Sequence, residues 1–153
     1  MPDTSASRPR RWDASVFVAA PRERVYAYFA DPVNRPEWQA SLRSVELLDP
    51  GPPHPGQRWI DHVKVGPAFE LQIIAMEGTS VWAEVGSTGP FTAFGTLLFE
   101  DATLGSVTGT RVTCVARVRA RGPLIPLGWP ATGVAALLVR NDLKRAARIL
   151  ASR

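Results

Sequence analysis

The sequence predicts an α+β fold, with seven β-strands in an antiparallel meander and a long helix closing the chain. β-rich runs separated by Gly, Pro and Asp recur along most of the sequence, which is typical of consecutive strands. The last stretch instead repeats its apolar residues at helical spacing. Residues 1–11 are polar and contain prolines, so they are expected to form a disordered tail. Residues 12–153 then form one domain.

The first strand and two short helices are predicted within residues 16–38. A β-rich run there ends at Pro21, whose fixed φ suits the first turn of a helix. Asp31 and Pro32 end this helix and begin a second one, with an N-cap carboxylate followed by a first-position proline. Trp38 lies near the end of the second helix. Of Tyr26 and Tyr28, two positions apart on the first helix, only Tyr28 is expected to face the core.

Six further strands are expected after these helices, and alternation along them assigns side chains to the two faces of the sheet. They lie at about residues 43–48, 57–65, 69–77, 81–86, 92–100 and 110–120. The inward residues are Trp59, Asp61 and Val63 on the third strand, Phe69, Leu71, Ile73 and Ala75 on the fourth, and Val112, Cys114, Ala116 and Val118 on the seventh. Arginines of the seventh strand fall on the opposite, outward face.

The C-terminal helix is predicted from a continuous apolar stripe. Its members are Ala135, Val139, Leu143, Ala146 and Leu150. Basic residues occupy the opposite side of the helix, and Asp142 lies at the edge of the stripe. Trp129 lies just before this helix in an apolar segment broken by prolines, which indicates either an entrance lid or a segment packed onto the sheet edge.

The N-terminal block resembles the opening of the SRPBCC superfamily, the group that includes START domains, polyketide cyclase/dehydrases and birch-pollen-allergen-like proteins. The residues that carry the resemblance are Ala-Pro at 20–21, Asp-Pro at 31–32 and Trp38. Residues 95–100 and 109–113 also resemble the last hairpin of that family. The resemblance implies a helix-grip fold, in which a curved sheet wraps around the C-terminal helix and encloses an apolar cavity. Members of the superfamily include lipid carriers, ligand-binding proteins and aromatase/cyclases.

If the chain has this fold, aromatic and aliphatic side chains of the inward faces are the candidates for binding a ligand. They are Tyr28, Trp38, Trp59, Val63, Phe69, Leu71, Ile73, Phe94, Cys114, Ala116, Trp129, Leu138 and Val139. In the family, the C-terminal helix contributes one wall of the pocket, which accounts for Leu138.

Two carboxylates are the candidates for chemistry. Asp61 is expected on an apolar face, and burial raises the pKa of a carboxyl group towards the range of a useful acid or base. The alternative for Asp61 is a structural pair with a nearby arginine. Asp142 either reaches into the cavity or pairs with Arg145, three residues along the helix, and we favour the pair.

Composition and motifs exclude several other classes of function. The net charge of +4 lies mostly on two arginine-rich faces without an aromatic stacking motif, so no nucleic acid is expected as a partner. His54 and His62 lack metal-ligand spacing, and nucleotide or nucleophile motifs are missing, so neither a metal nor a cofactor is predicted. The lone cysteine, the lack of an N-terminal apolar stretch and the lack of an 18-residue apolar run predict a cytoplasmic protein without a membrane span. It would be a monomer or a homodimer.

The function expected from these residues and from the resemblance is the binding of a small hydrophobic molecule in an internal cavity. One reading is a polyketide cyclase/dehydratase-like enzyme that folds a flexible chain and uses Asp61 and Asp142 as acid or base. The other reading is a non-enzymatic carrier or sensor of a lipid, quinone or similar apolar metabolite. The aromatase/cyclase branch places an arginine inside its cavity, whereas the strand arginines here are predicted to point outward.

Overall fold

The computed structural model describes the backbone of residues 12–123 and 128–153, and the side chains of residues 14–123 and 137–153. The strands are β1 (Trp12–Val18), β2 (Leu42–Leu47), β3 (Arg58–Val63), β4 (Phe69–Glu77), β5 (Val81–Thr88), β6 (Phe91–Leu104) and β7 (Val107–Ala120). The helices are α1 (Arg22–Ala30), α2 (Arg35–Trp38) and α3 (Gly128–Ala151), with a 3₁₀ turn at Pro32–Asn34 before α2. The predicted order of elements is confirmed.

The seven strands form one curved antiparallel sheet in the order β1-β7-β6-β5-β4-β3-β2. The first strand therefore pairs with the last, and its Val16 lies opposite Val112. The C-terminal helix α3 packs across β1 and β7. This arrangement is consistent with the helix-grip fold that the resemblance implied. No helix in the described part of the chain is long and apolar enough to cross a membrane.

The turn between α1 and α2 is built as the sequence predicts. Asp31 Oδ1 accepts a hydrogen bond from the backbone N–H of Val33 at 3.0 Å, and Pro32 occupies the first position of the 3₁₀ turn. This cap satisfies a donor that the start of a helical turn leaves free. The chain then turns directly into α2, which places Arg35 and Trp38 beneath the sheet.

The expectation that only Tyr28 of the two tyrosines faces the core is wrong, because α1 is covered on two sides. Tyr26 packs edge-on against Phe99 of β6, and its hydroxyl donates to the carbonyl of Val81 at 3.1 Å. Tyr28 is equally buried on the other side of the helix, where its hydroxyl donates to Glu37 Oε2 at 2.9 Å. The helical spacing of apolar residues predicts one buried face of a helix. It does not show that a second part of the protein also covers the opposite side of α1.

A bulge changes the facing of the second half of β4. The register between β4 and β5 shifts between Ile73 and Ala75, which adds one residue to β4. Met76, and not the predicted Ala75, therefore packs against the core beyond this point. The alternation predicted for β7 is confirmed at its first half, where Val112 and Cys114 are buried and Arg111 is exposed.

The β6–β7 hairpin is longer than predicted, because both strands continue to a tight turn at Gly105 and Ser106. Gly105 has a φ of +62°, a conformation that residues with a Cβ rarely adopt. At the other end of β7, the backbone of α3 begins at Gly128, so Trp129 lies within the helix and not before it. Its side chain, the predicted tail at 1–11 and residues 124–127 lie outside the described residues.

Candidate functional site

A buried arginine on α2 connects three separate parts of the fold. Arg35 is only 3% exposed, and its Nη2 lies 2.8 Å from Asp61 Oδ2 on β3. Its Nη1 lies 2.7 Å from Glu84 Oε2 on β5. Burying a charged group is costly unless it is paired and hydrogen-bonded. The two carboxylates therefore make the burial of Arg35 possible. We call these three residues the Arg35 cluster.

Asp61 is the fully paired member of the cluster. Its Oδ2 accepts from both Nε and Nη2 of Arg35, and its Oδ1 accepts from the indole N–H of Trp59 at 2.9 Å. The guanidinium also lies over the Trp59 ring, 5.3 Å from its centroid. Asp61 is buried as predicted, and its partner is an arginine, as the structural alternative for this residue proposed.

Glu84 is the more accessible carboxylate of the cluster, with 17% of its side chain exposed. Burial raises the pKa of Glu84, Arg35 counteracts this, and the nearby charge of Asp61 raises it again. The net direction is upward, so Glu84 holds a proton more readily than an ordinary glutamate. Burial alone would lower the pKa of Arg35, but Glu84 and Asp61 outweigh it and keep the guanidinium charged.

A pocket of about 230 Å³ lies against Glu84, between the sheet and α3. Its mostly apolar wall comes from Leu71, Trp82, Ala93, Phe94, Gly95, Leu97, Cys114, Ala116, Val118, Leu138, Val139 and Leu143. Its polar or amphipathic lining comes from Arg35, Trp38, Gln39, Ser41, Glu84, Arg117 and Asp142. The pocket is therefore apolar along the sheet and α3, with its acidic groups near α2.

Asp142 joins this pocket from α3. Its Oδ1 accepts a hydrogen bond from the backbone N–H of Ala40 at 3.1 Å, so it ties α3 to the segment after α2. Burial raises the pKa of Asp142, against the opposing effects of the Ala40 N–H and of Arg145 and Arg35. The ion pair with Arg145 that we favoured is not formed among the described side chains, and Arg145 Nε instead donates to Glu37 O at 2.8 Å.

Glu37 forms a second connection between α2 and the end of α3. Its Oε2 accepts from the Tyr28 hydroxyl and from Arg153 Nη2, each at 2.9 Å. The Arg153 guanidinium also lies 5.7 Å from the centroid of the Tyr28 ring. Hydrogen bonds at Glu37 and Ala40 thus hold the α2 wall of the pocket against α3.

The structure brings together about half of the residues predicted to bind a ligand. Those that line the pocket are Trp38, Leu71, Phe94, Cys114, Ala116, Leu138, Val139 and the candidate acid Asp142. Among the described lining residues, Tyr28, Trp59, Val63, Phe69, Ile73 and Asp61 do not occur. Trp59 and Ile73 are fully enclosed in the core, and Tyr28 points to Glu37. Phe94 also borders a groove on the outer face of the sheet, beside Arg119.

Two lining residues that sequence reasoning missed are Arg35 and Glu84. Glu84 had a usable signal, because Trp82-Ala83-Glu84 repeats the pattern of Trp59-Ile60-Asp61, with a carboxylate two positions after an inward tryptophan. Arg35 had none, because it lies in a turn-rich segment and its partners are 26 and 49 residues away. Within the described residues, no group of His, Cys, Asp and Glu side chains is arranged to hold a metal ion.

Comparison with known proteins identifies the family. The family model described as polyketide cyclase / dehydrase and lipid transport matches residues 9–153. The chain therefore belongs to this family, which confirms the resemblance to SRPBCC proteins. No curated protein matches the chain.

Solved structures share the fold at low sequence identity. A protein from Deinococcus radiodurans is 23% identical with a TM-score of 0.64, covering 94% of this chain and 98% of that one. The protein XoxI from Bacillus cereus is 12% identical with a TM-score of 0.73, covering 93% and 96%. The di-domain ARO/CYC BexL of the BE-7585A biosynthetic pathway is 19% identical with a TM-score of 0.68, covering 92% of this chain and 46% of that one.

The Arg35→Met substitution should destabilise the protein strongly, because it leaves two carboxylates buried without their cation. We expect a loss of ~3–5 kcal/mol in the free energy of unfolding, measured by urea denaturation. Arg58→Met is the matched control, since Arg58 forms its ion pair with Asp49 at the surface and its removal should cost much less. Equal losses in the two variants would contradict the structural role of the Arg35 cluster.

The pH dependence of stability should change in the Asp142→Asn variant. Folding raises the pKa of Asp142 above 3.8, so its contribution to stability is complete below that value and is lost as pH rises through the pKa of the folded state. The variant lacks this group and keeps an oxygen for the Ala40 N–H. Its free energy of unfolding relative to the wild type should therefore increase between about pH 3 and about pH 7. A difference independent of pH would show that Asp142 is not buried as described.

Proposed function

We propose that this protein binds a small, mostly apolar molecule in the pocket between the sheet and α3. The observation that carries the proposal is the composition of the pocket, in which a mostly apolar wall ends at the acidic groups Glu84 and Asp142. Small-molecule sites commonly combine apolar walls with a few polar groups that fix orientation. Membership of the family described as polyketide cyclase / dehydrase and lipid transport supports a ligand of this kind.

The volume of the pocket limits the size of the ligand. At about 230 Å³ it is smaller than the ~300–1,000 Å³ that is usual for drug-sized ligands. An apolar cavity of ~150 Å³ is large enough to bind benzene. We therefore expect a ligand of about one substituted ring, or a chain of similar volume, in the pocket as it is described.

The Ala116→Leu substitution tests the location of the ligand. Ala116 lines the pocket, so a larger side chain should fill part of it and weaken the binding of toluene and 2-phenylethanol at least tenfold. Binding is measured by NMR, from shifts of the indole N–H signals of Trp38 and Trp82, which also line the pocket. Unchanged affinity in this variant would contradict the proposal.

Thr113→Leu is the matched control for this experiment. Thr113 lies on the same strand but on the outer face, where its hydroxyl contacts that of Ser15 at 3.4 Å. Its enlargement should leave binding of both compounds unchanged. If both variants reduced binding equally, the effect would come from a general change in the sheet.

A second candidate function, acid–base catalysis of the cyclase/dehydratase type, is favoured by a specific observation. Glu84 and Asp142 both border the pocket, and burial raises the pKa of each. Aldol-type closure and loss of water both need a proton removed beside a carbonyl group and a proton supplied to oxygen. In this proposal, the role that the sequence suggested for Asp61 passes to Glu84, because Glu84 borders the pocket.

Proton exchange in a model ketone tests this second candidate without knowledge of the substrate. Phenylacetone in D₂O should exchange its α-protons faster with the protein than without it, as measured by NMR. Glu84→Gln should slow the protein-dependent rate at least tenfold, since it removes the base while preserving shape. Exchange at the protein-free rate, with phenylacetone bound, would favour the carrier or sensor.

A further inference from the structure

We propose that this pocket selects uncharged ligands and rejects carboxylates, so that its ligand is a small apolar molecule with a hydroxyl or carbonyl group. The inference rests on the proposed binding function and names the class of molecule bound. It excludes fatty acids and other apolar anions.

Two carboxylates and two guanidinium groups line the pocket, and the way they are paired leaves no surplus of positive charge beside Glu84. Glu84 of β5 and Asp142 of α3 line it directly, and Asp61 of β3 lies behind Arg35. The cations that line it are Arg35 of α2 and Arg117 of β7. Within the Arg35 cluster, two carboxylates share one guanidinium group, so this end of the pocket has no surplus cation for a ligand.

Arg35 is not free to bind an anion, although it lines the pocket. Its Nε and Nη2 donate to Asp61, its Nη1 donates to Glu84, and Nη2 also lies 3.4 Å from Gln39 Oε1. A guanidinium has five N–H donors, and these contacts engage most of them. A ligand carboxylate would have to compete with Glu84 for Arg35 while lying next to its charge, which is unfavourable in a poorly solvated pocket.

The other nearby cations are also occupied or placed at the margin. Arg145 donates its Nε–H to Glu37 O, at the end of α2. Arg117 borders the groove on the outer face of the sheet, beside Val115 and Arg119, as well as the pocket. It therefore lies where the pocket meets that outer groove.

An uncharged ligand fits this environment better than a cation does. The walls are mainly apolar, and a cation brought into them from water would lose much of its hydration. Burial raises the pKa of Glu84 and of Asp142, so each holds a proton more readily than an ordinary carboxyl group. An ionised carboxylate accepts from a hydroxyl, and a protonated one donates to a carbonyl, so both acids can pair with an uncharged oxygen.

A series of matched probes tests the inference. Phenylacetate, 2-phenylethanol and 2-phenylethylamine share one apolar body and differ in charge, and toluene reports binding of that body alone. We expect 2-phenylethanol to bind at least tenfold more tightly than phenylacetate at neutral pH, and more tightly than the amine. Dissociation constants come from the same indole signals of Trp38 and Trp82, measured in the 153-residue chain.

Substitution of the acids identifies the source of the discrimination. Glu84→Gln should strengthen phenylacetate binding at least fivefold relative to 2-phenylethanol binding, because it removes one negative charge beside the ligand. Asp142→Asn provides a second variant in a different element, expected to act in the same direction. Glu100→Gln is the control, since Glu100 is exposed, and it should change neither affinity.

The outcomes separate this inference from the binding function. Equal binding of phenylacetate and 2-phenylethanol would overturn the inference and leave the proposed binding site intact if toluene still binds. Tightest binding of 2-phenylethylamine would also overturn it, by identifying a cation site. Phenylacetate could bind as tightly as 2-phenylethanol and lose this binding in the Arg117→Gln variant. That result would replace our proposal with an anion site at the margin of the pocket. Failure of all four probes to bind would overturn both.

Discussion

The paired burial of Arg35 is the interaction on which the rest of the described site depends. A guanidinium that is almost completely removed from water requires carboxylate partners, and here they come from β3 and β5. The cluster therefore fixes the position of α2 beneath the sheet. It also determines that Glu84 lies in the pocket wall with its carboxyl group held in a defined orientation.

The rest of the α2 wall is held by contacts with α1, with α3 and with the residues that follow α3. Asp142 accepts from the Ala40 N–H, and Glu37 accepts from Tyr28, Arg145 and Arg153 through its carboxylate and carbonyl oxygens. The pocket is thus enclosed between a sheet that provides apolar surface and a helical segment fastened on both sides. Glu84 and Asp142 both bond to α2 or to the segment after it, so the acidic groups lie together at that side of the pocket. The sheet side is mostly apolar.

The same cluster limits the chemistry that the pocket can support. One arginine shared between two carboxylates leaves little positive charge for a ligand. Burial and the charge of Asp61 raise the pKa of Glu84, which keeps a group that can exchange a proton beside apolar surface. In our proposal, this combination suits an uncharged oxygen-bearing molecule, whether it is carried or converted.

The sequence by itself determined the elements, their order and the inward face of β3, of the first half of β4 and of the first half of β7. Local signals suffice for these features: Asp31 and Pro32 cap a turn, and residues such as Trp59 and Asp61 alternate along a pleated strand. Only the tertiary structure decided which carboxylate reaches the pocket and where Arg35 finds its partners. Those contacts join residues far apart in the chain, and the bulge before Ala75 and the second cover over Tyr26 come from pairing with other elements. A local pattern carries no information about such partners, so the sequence predicted part of the apolar wall of the site and not its geometry.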